Sequence, residues 1–459
     1  MRKLGSVRLL VLPAVLSAGV WAVTGETVAA SAGDKRFSTA PARVLYSGIS
    51  DPATPFAVHK NRNVTNKNGA QSETSVAVDP TDPNHLYAQS NDLADFSQYK
   101  GVYESFDRGR TWVNSGLTIN TFCYDPWLDF NTAGDIFVGY ECSDQRIAYK
   151  LHGSNTWVQS GSLPAGSFPD RDMVVTDDTP TSPFFNSVYI GYDDNGSSNR
   201  AQLMVSRNGL GGWVKSAGID DTPATFDVIG VNAAVGNDGT VFATWENYAN
   251  GFIKMDVSHD GGLTWGVDKT VHDFRINTAG FFIPIPPQNV RGVLPMPMTD
   301  IAPAGSPFAD RLYVVYFDTD TDGSPNTEIY LRYSDNDGTT WSSEKLINDD
   351  TVDAWHFFPS ISITPGGTIG VSFYDTRNDL ADKKTDVYWS FSTDGGNTWS
   401  ANQRVTSASS DETIGSFDGN QYGDYEGGDA SSTGFFQFVW TDSRSGTKNE
   451  DMVTASVRP

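Results

Sequence analysis

The chain has 459 residues, of which 32 are Lys or Arg and 56 are Asp or Glu, so its formal net charge is −24. This acidic balance excludes nucleic acid and anionic membrane surfaces as expected partners, because both require a basic protein surface. Hydrophobic residues make up 38% of the chain and aromatic residues 12%, which is too much for a disordered protein. With only two cysteines the chain is not a disulfide scaffold. Its length allows one large β architecture or two to three ordinary domains.

The N-terminus has the order of segments that is typical of a secretory signal peptide. Basic residues within Met1–Arg8 precede an apolar run over Leu9–Val23, and Ala30–Ala32 has the A-x-A form of a cleavage site. The apolar run is short for a membrane span. We therefore predict a signal peptide over residues 1–32 and a secreted protein, extracellular or periplasmic, that is not held in a membrane. The alternative is a membrane anchor.

An eight-residue motif, S-x-D-x-G-x-T-W, recurs along the chain and indicates an internal repeat. Its good copies are Ser105–Trp112, Ser258–Trp265, Ser334–Trp341 and Ser392–Trp399, the third with Asn336 at the acidic position. The Asp or Asn side chain bonds nearby backbone N–H groups and sets a turn, Gly supplies backbone freedom, and Trp covers the turn. Each copy lies between two short β-like runs, so we predict that it joins the third and fourth strands of a four-stranded unit.

Seven such units are predicted, which start near Glu73, Asp125, Asp170, Asp227, Pro295, His356 and Asp424. Four-stranded units in radial repetition form a β-propeller. We therefore predict an all-β fold, a propeller of seven blades over residues 70–459, with six blades as the alternative. The last unit lacks a fourth strand. The β-like run Arg43–Ile49, within an N-terminal segment over residues 33–69, is predicted to supply that strand and close the ring.

The two cysteines flank a predicted hairpin formed by Tyr124–Phe130 and Asp135–Glu141. In that register Cys123 and Cys142 lie directly opposite each other, and secretion permits them to be oxidised. We predict a disulfide across the hairpin, with two free thiols as the alternative.

The recurring motif resembles the Asp-boxes, or BNR repeats, of the non-viral sialidase-like superfamily, over roughly residues 70–459. The resemblance implies a propeller whose Asp-boxes are structural turns. The superfamily includes sialidases, other glycoside hydrolases, polysaccharide lyases and non-catalytic propellers. An early Phe-Arg-Ile-Pro motif, expected of sialidases, is absent before the first Asp-box, and the nearest string is Phe274–Asn277. This weighs against sialic acid as the substrate. The family also implies a Tyr nucleophile paired with Glu, for which Tyr425 and Glu426 are candidates by position.

Every unit places a carboxylate at the end of its second strand, usually after an aromatic residue: Asp92, Glu141, Asp193, Glu246, Asp318, Asp375 and Asp442. These ends share the face where propellers usually bind ligands, so we predict an acidic rim on which Trp245 and Trp440 stack against sugar rings. Carboxylate pairs cleave glycosidic bonds as acid and base or nucleophile. The alternative is that each acid only ends its strand and bonds its own turn.

Three arginines interrupt this acidic series, and their guanidinium forks can bind an anionic sugar or pair with adjacent acids. As substrate-binding residues we predict Arg171, Arg377 and Arg444. As catalytic residues, serving as nucleophile, acid or base, we predict Asp125, Asp170, Asp375, Tyr425 and Glu426.

The acids Asp318, Asp320 and Asp322, followed by Gly323, alternate as in the front half of a calcium loop. Calcium is thus the one cofactor predicted, with a solvated acidic turn as the alternative. Residues 271–293 form an apolar, proline-rich insertion. It is predicted to be either a rim or lid over the binding face, or a surface loop packed on the next blade.

Together these features predict a secreted, monomeric, carbohydrate-acting propeller whose partner is a glycan or polysaccharide. The leading hypothesis is a glycoside hydrolase acting on an acidic glycan. The alternatives are a non-catalytic glycan- or protein-binding propeller, and a polysaccharide lyase that uses His or Tyr as its base.

Overall fold

The computed structural model describes residues 57–166, 168–196, 200–221, 227–321, 323–414, 421–446 and 449–459. These residues belong to one compact unit, Val44–Pro459. The predicted signal peptide and the run Arg43–Ile49 lie outside them. None of the described helices has the length and apolar character needed to cross a membrane.

Seven antiparallel sheets of four strands follow one another along the described chain and form the blades of a propeller. The predicted all-β, seven-bladed fold is therefore confirmed. In chain order the strands are β1 (Arg62–Asn63); blade 1, β2 (Ser75–Val78), β3 (Leu86–Gln89), β4 (Val102–Ser105) and β5 (Val113–Asn114); blade 2, β6 (Tyr124–Phe130), β7 (Ile136–Glu141), β8 (Gln145–Lys150) and β9 (Val158–Gln159); blade 3, β10 (Pro169–Thr176), β11 (Val188–Asp194), β12 (Arg200–Ser206) and β13 (Val214–Lys215); blade 4, β14 (Val228–Val235), β15 (Val241–Asn247), β16 (Phe252–Ser258) and β17 (Lys269–Asp273); a hairpin, β18 (Ile283–Ile285) and β19 (Gln288–Val293); blade 5, β20 (Met298–Ile301), β21 (Leu312–Thr319), β22 (Thr327–Ser334) and β23 (Lys345–Leu346); blade 6, β24 (His356–Ile363), β25 (Ile369–Asp375), β26 (Asp386–Ser392) and β27 (Gln403–Arg404); and blade 7, β28 (Gly428–Ala430), β29 (Phe436–Asp442) and β30 (Asp451–Val457).

The second strand of each blade is buried on both faces, because each sheet packs between two neighbouring sheets. Every residue of β7, β25 and β29 is buried, for example. Alternation of exposed and buried residues is therefore lost in these strands, as expected for sheets covered on both sides. The core consists of the apolar layers between consecutive blades.

The four Asp-boxes form the same turn in every copy. In Ser105–Trp112, the Ser105 hydroxyl accepts a hydrogen bond from the Gly109 N–H at 2.9 Å, and Asp107 accepts one from the Thr111 N–H at 2.8 Å. The equivalent contacts recur in the other copies. Each box joins the third and fourth strands of its blade, as predicted.

The ring is closed by the N-terminal strand β1, which pairs with β30 as the outer strand of blade 7. Arg62 lies opposite Thr454, and the His59 N–H donates to the Ser456 carbonyl at 2.9 Å. Closure by the N-terminal segment is confirmed, but Arg62–Asn63 occupies the place that we predicted for Arg43–Ile49. The short strand was missed because a polar dipeptide carries no alternating pattern.

Cys123 and Cys142 form the predicted disulfide across the hairpin of β6 and β7. Tyr124 lies opposite Glu141, as the predicted register requires. Beyond that pair, a bulge after Tyr124 shifts the register by one residue, so Phe130 faces Ile136 instead of Asp135. The prediction was correct at the cysteine end of the hairpin and one residue wrong at the turn.

Replacing both Cys123 and Cys142 by serine is expected to lower the free energy of unfolding by about 3 kcal/mol, because the disulfide restricts the unfolded chain over a short loop. Chemical denaturation of the variant against wild type measures the loss. An unchanged denaturation midpoint would contradict this role for the bond.

Candidate functional site

β-Bulges near the start of the first strands turn side chains toward one end of the central channel. In β6 the bulge lies between Tyr124 and Trp127, and in β10 it lies between Asp170 and Met173. Within these bulges Asp125 has a φ of 46° and Arg171 a φ of 61°, a left-handed conformation that few residues adopt. Bulges of this kind re-aim side chains next to functional sites. The equivalent left-handed positions of β14 and β24 are Gly230 and Phe358.

A group of carboxyl side chains, which we call the acid chamber, lies at this end of the channel. It consists of Glu73, Asp125, Glu141, Asp170, Asp172 and Asp193. Carboxylate oxygens of Asp125, Glu141 and Asp170 lie within 4.8 Å of one another. Asn91 donates to Glu73 and accepts from the Asp125 N–H at 2.9 Å. The chamber thus brings together residues that start blades 1 to 3 and residues that end second strands.

The electrostatics of the acid chamber favour protonated carboxyl groups. Burial raises the pKa of Glu73 to about 7. Burial and the neighbouring Glu73 carboxylate raise the pKa of Asp125 well above its usual range, and burial and Asp125 do the same for Asp170. Like charges held close together in a low-dielectric interior cannot all be ionised without a compensating cation.

Two arginines border the acid chamber. The Arg171 guanidinium lies 4.1 Å from the centre of the Tyr425 ring, and the Tyr425 hydroxyl donates to the Pro126 carbonyl at 3.1 Å. Arg291 donates to Asp424 at 3.1 Å and lies 3.8 Å from a Glu73 oxygen. Of the predicted site residues, the structure therefore brings together Asp125, Asp170, Arg171 and Tyr425.

The insertion between blades 4 and 5 lies over the acid chamber. Its hairpin β18–β19, which we call the covering hairpin, carries both Arg291 and Gln288. Gln288 donates to the Gly423 carbonyl at 3.1 Å and accepts from the Tyr422 N–H at 2.8 Å. Tyr422 and Gly423 lie just before β28, the first strand of blade 7. The covering hairpin therefore reaches across the channel end and does not pack only on blade 5.

The seven strand-end acids are all buried, with exposed fractions of 1% or less. Four of them pair with a Lys or Arg side chain: Asp92 with Lys67, Asp318 with Arg275, Asp375 with Arg377, and Asp442 with Arg444. The other three, Glu141, Asp193 and Glu246, form no ion pair with a Lys, Arg or His side chain of the described chain. The series is therefore not an open rim. Four of its acids are paired strand ends, Glu141 and Asp193 belong to the acid chamber, and Glu246 is buried in the core of blade 4.

Two of the predicted substrate-binding arginines use their guanidinium groups within the protein. Arg377 donates to Asp375 at 2.6 Å and to Asp349 at 2.9 Å. Arg444 donates to Asp442 and, at 2.8 Å, to the Ser407 hydroxyl. Neither fork is presented to a ligand, and Asp375 lies with Arg377 rather than in the acid chamber.

Glu426 and Tyr425 do not form the predicted pair. Glu426 accepts hydrogen bonds from the Tyr374 hydroxyl at 2.5 Å, the Thr441 N–H at 3.0 Å and the Thr74 hydroxyl. It thus joins blade 7 to blades 6 and 1. The two adjacent side chains point in different directions, so only Tyr425 borders the chamber.

Trp245 and Trp440 lie in the core instead of stacking on an exposed face. Trp245 has an exposed fraction of 0% and Trp440 of 1%, and the Trp440 indole donates to Asp442 at 2.8 Å. The prediction treated one face of each second strand as open, whereas neighbouring blades cover both.

The predicted calcium loop is described only in part, because Asp322 lies outside the described residues. Asp318 accepts from His272 at 2.7 Å and from the N–H groups of Arg275 and Ile276 at 3.0 and 2.8 Å. Asp320 accepts from the Thr321 hydroxyl. Calcium binding at this loop stays a prediction.

Three aromatic side chains that were not predicted as site residues, Phe96, Phe122 and Tyr124, form an aromatic ladder from the surface to the acid chamber. Phe96 is 54% exposed and its ring centre lies 5.1 Å from that of Phe122, which in turn lies 5.9 Å from Tyr124. Tyr124 opens β6 next to Asp125. The sequence signal that could have revealed this ladder is the cluster of aromatic residues just before the start of blade 2.

Stability should fall as pH rises from about 5 to about 9. Burial raises the pKa of Glu426 and Asp300 to about 8, so the folded chain holds protons that the unfolded chain has released above its ordinary carboxyl pKa. Against the lowering effect of burial, Asp79 and Glu104 raise the pKa of His85 to about 9, and Asp375 and Asp350 raise that of His356 to about 10.

The buried carboxyl groups and the two histidines change stability in the same direction. Each histidine stabilises the folded chain at pH values below the pKa that it has in the unfolded chain, and this stabilisation is lost as pH rises through its pKa in the folded chain. Melting temperatures measured in buffers of constant ionic strength should be highest near about pH 5 and several degrees lower near about pH 9. A melting temperature that is flat or rises over that range would contradict the expectation.

Comparisons with known proteins agree with the repeat architecture. Residues 310–415 match the family described as BNR repeat-like domain. No curated protein sequence matches the chain. Among solved structures, the NanB sialidase from Streptococcus pneumoniae is 10% identical over 72% of this chain and 69% of its own, with a TM-score of 0.47. The Penicillium chrysogenum alpha-L-arabinanase is 13% identical over 72% and 92%, with a TM-score of 0.45. An ulvan lyase is 14% identical over 70% and 81%, with a TM-score of 0.41.

The predicted resemblance to sialidase-like BNR propellers is confirmed by the matched domain and by the seven-bladed ring with its Asp-box turns. The family match covers β21 to β27, which is blade 5 without its first strand and all of blade 6, and it does not include the acid chamber.

Proposed function

We propose that the protein is a carbohydrate-acting enzyme, a glycoside hydrolase that cleaves an acidic glycan beneath the covering hairpin. The observation that carries the proposal is the arrangement of Glu73, Arg291 and Asp424. One arginine, contributed by the covering hairpin, lies between two carboxyl groups that begin different blades.

Glu73 serves as the general acid. It is 1% exposed, and burial raises its pKa to about 7, so it holds a proton near neutral pH. A carboxyl group that stays protonated can transfer its proton to the oxygen of the bond that breaks. Glycoside cleavage needs this acid and a second carboxylate.

Asp424 supplies the second carboxylate. It is paired with Arg291 and remains partly exposed at the chamber mouth, with 14% of its side chain accessible. In this position it activates water or attacks the sugar, while the positive charge of Arg291 attracts an acidic group of the substrate. Because Arg291 belongs to the covering hairpin, entry of the glycan requires the hairpin to separate from Gly423 and Tyr422.

The aromatic ladder provides the binding surface outside the chamber. Phe96, Phe122 and Tyr124 offer ring faces to the apolar faces of successive sugars. This supports an extended glycan as the ligand rather than a single sugar.

The test is release of product from a panel of acidic and neutral polysaccharides by the purified protein. New reducing ends from an acidic polymer, without absorbance of an unsaturated uronate, would support hydrolysis. Unsaturated uronate would identify a lyase and overturn the assignment. Tight binding to one polymer with no turnover on any would overturn the enzyme proposal in favour of a binding propeller.

A further inference from the structure

We propose that the acid chamber holds a divalent cation, of the calcium type, bound by Asp125, Glu141 and Asp170. This site is separate from the loop at Asp318, and the inference does not depend on the proposed function. It starts from buried carboxylate oxygens that accept no hydrogen bond from a backbone N–H, amide or alcohol donor of the described residues.

Glu141 is the first of these. It has an exposed fraction of 1%, and neither of its carboxylate oxygens accepts a hydrogen bond from an N–H or hydroxyl group of the described residues. The Oδ1 atom of Asp125, which is 3% exposed, likewise accepts no hydrogen bond from such a donor. Buried carboxylates are almost always paired, hydrogen-bonded or bound to a metal.

The nearby arginines do not supply the missing charge. The Arg171 guanidinium stacks on Tyr425, and its two terminal nitrogens face the sulfur atoms of Met296 and Met173. Arg291 is engaged by Asp424 and Glu73. Asp125, Glu141 and Asp170 are therefore left without a cation of the described chain in contact with them.

The geometry of the three acids fits a single ion. One oxygen from each carboxylate lies within 4.8 Å of the other two, the spacing of ligands that share one metal. All of these ligand atoms are oxygens, and hard cations such as Ca²⁺ prefer such ligands, whereas zinc prefers nitrogen and sulfur. Calcium also accepts the irregular coordination that a bulged strand start and a strand end would supply.

The bulge in β6 brings two of the three proposed ligands together. It places Asp125, from the start of the first strand of blade 2, beside Glu141, from the end of the second strand of the same blade. Asp170 joins them from blade 3, and Asn195 donates to its other side at 3.1 Å. The ion would thus bind two adjacent blades to each other at the channel end.

Calorimetric titration of CaCl₂ into the chelator-treated, full mature protein tests the site. We expect saturable binding to wild type and at least about a tenfold loss of affinity in Glu141→Gln, because a ligand is removed. Asp353→Asn is the matched control, since it neutralises an exposed acid outside both acidic sites and should bind like wild type, while Asp320→Asn reports on the separate loop at Asp318. Wild-type melting temperature should rise with calcium, and the rise should be smaller in Glu141→Gln.

The metal-free melting temperature separates loss of binding from loss of folding. Without calcium, Glu141→Gln should melt no lower than wild type, because the substitution removes repulsion between buried acids. Absence of binding of Ca²⁺, Mg²⁺ or Mn²⁺ to wild type at millimolar concentration would overturn the proposal. So would full affinity in both Glu141→Gln and Asp170→Asn, or loss of affinity in Asp320→Asn alone. None of these readouts requires turnover, so failure of the proposed enzyme activity leaves them unaffected.

Discussion

Replacing Glu73 by glutamine is expected to lower kcat on the cleaved glycan by about 10²–10⁴-fold, with little change in KM. The amide keeps the size of the side chain and can still accept the hydrogen bond from Asn91, but it cannot give a proton to the leaving oxygen. The effect should therefore fall on the chemical step and leave folding intact.

The pH profile distinguishes this role from a structural one. Because burial raises the pKa of Glu73 to about 7 in the metal-free chain, kcat/KM of the chelator-treated wild type should decrease as pH rises through that value and the acid loses its proton. The glutamine variant should lack this limb. Asp353→Asn, which neutralises an exposed acid outside the chamber, is the matched control and should behave as wild type. Full activity of the Glu73 variant would remove Glu73 from the mechanism.

Replacing Trp245 by alanine is expected to lower the free energy of unfolding by about 3–5 kcal/mol, because the indole is completely buried among apolar neighbours of blades 3 and 4. Chemical denaturation measures the loss. Glycan affinity of the folded fraction should be unchanged, since the side chain has no exposed surface to offer a ligand.

Phe96→Ala is the control for Trp245→Ala, because it is expected to weaken glycan binding and to leave the free energy of unfolding nearly unchanged. Phe96 is 54% exposed, so its loss should change stability by less than about 0.5 kcal/mol. Glycan affinity should fall by about 2–10-fold, the value of one aromatic contact. If Trp245→Ala kept its stability and lost binding while Phe96→Ala bound normally, the positions assigned to core and ladder would be reversed.

The fold could be predicted largely because its signals are local. An Asp-box needs only the contacts among Ser105, Asp107, Gly109 and Thr111, which lie within one short stretch of chain. The disulfide likewise follows from the register of a single hairpin. Repetition of four-stranded units along the chain then fixes the number of blades, although blade 7 takes its outer strand β1 from the N-terminal segment.

The candidate site could be predicted only in part, because its chemistry depends on partners from other blades. The sequence shows an acid at the end of every second strand, but not that Arg377 neutralises Asp375 while Glu141 has no such neighbour. Arg291 was missed because it lies in an insertion that carries no motif and meets Glu73 and Asp424 only after the ring has formed.

Ring closure by β1 has a consequence for the order in which the molecule can fold. Arg62 pairs with Thr454, so the first described strand finds its partner only when nearly the whole chain is available. Blades 1 to 6 are each built from consecutive strands and can form as the chain emerges, whereas blade 7 is completed by the most distant pairing in the sequence. Until β1 pairs with β30, the outer edge of β30 and the N-terminal segment are both unpaired. The nearly complete ring is therefore the folding species most prone to pair with another chain.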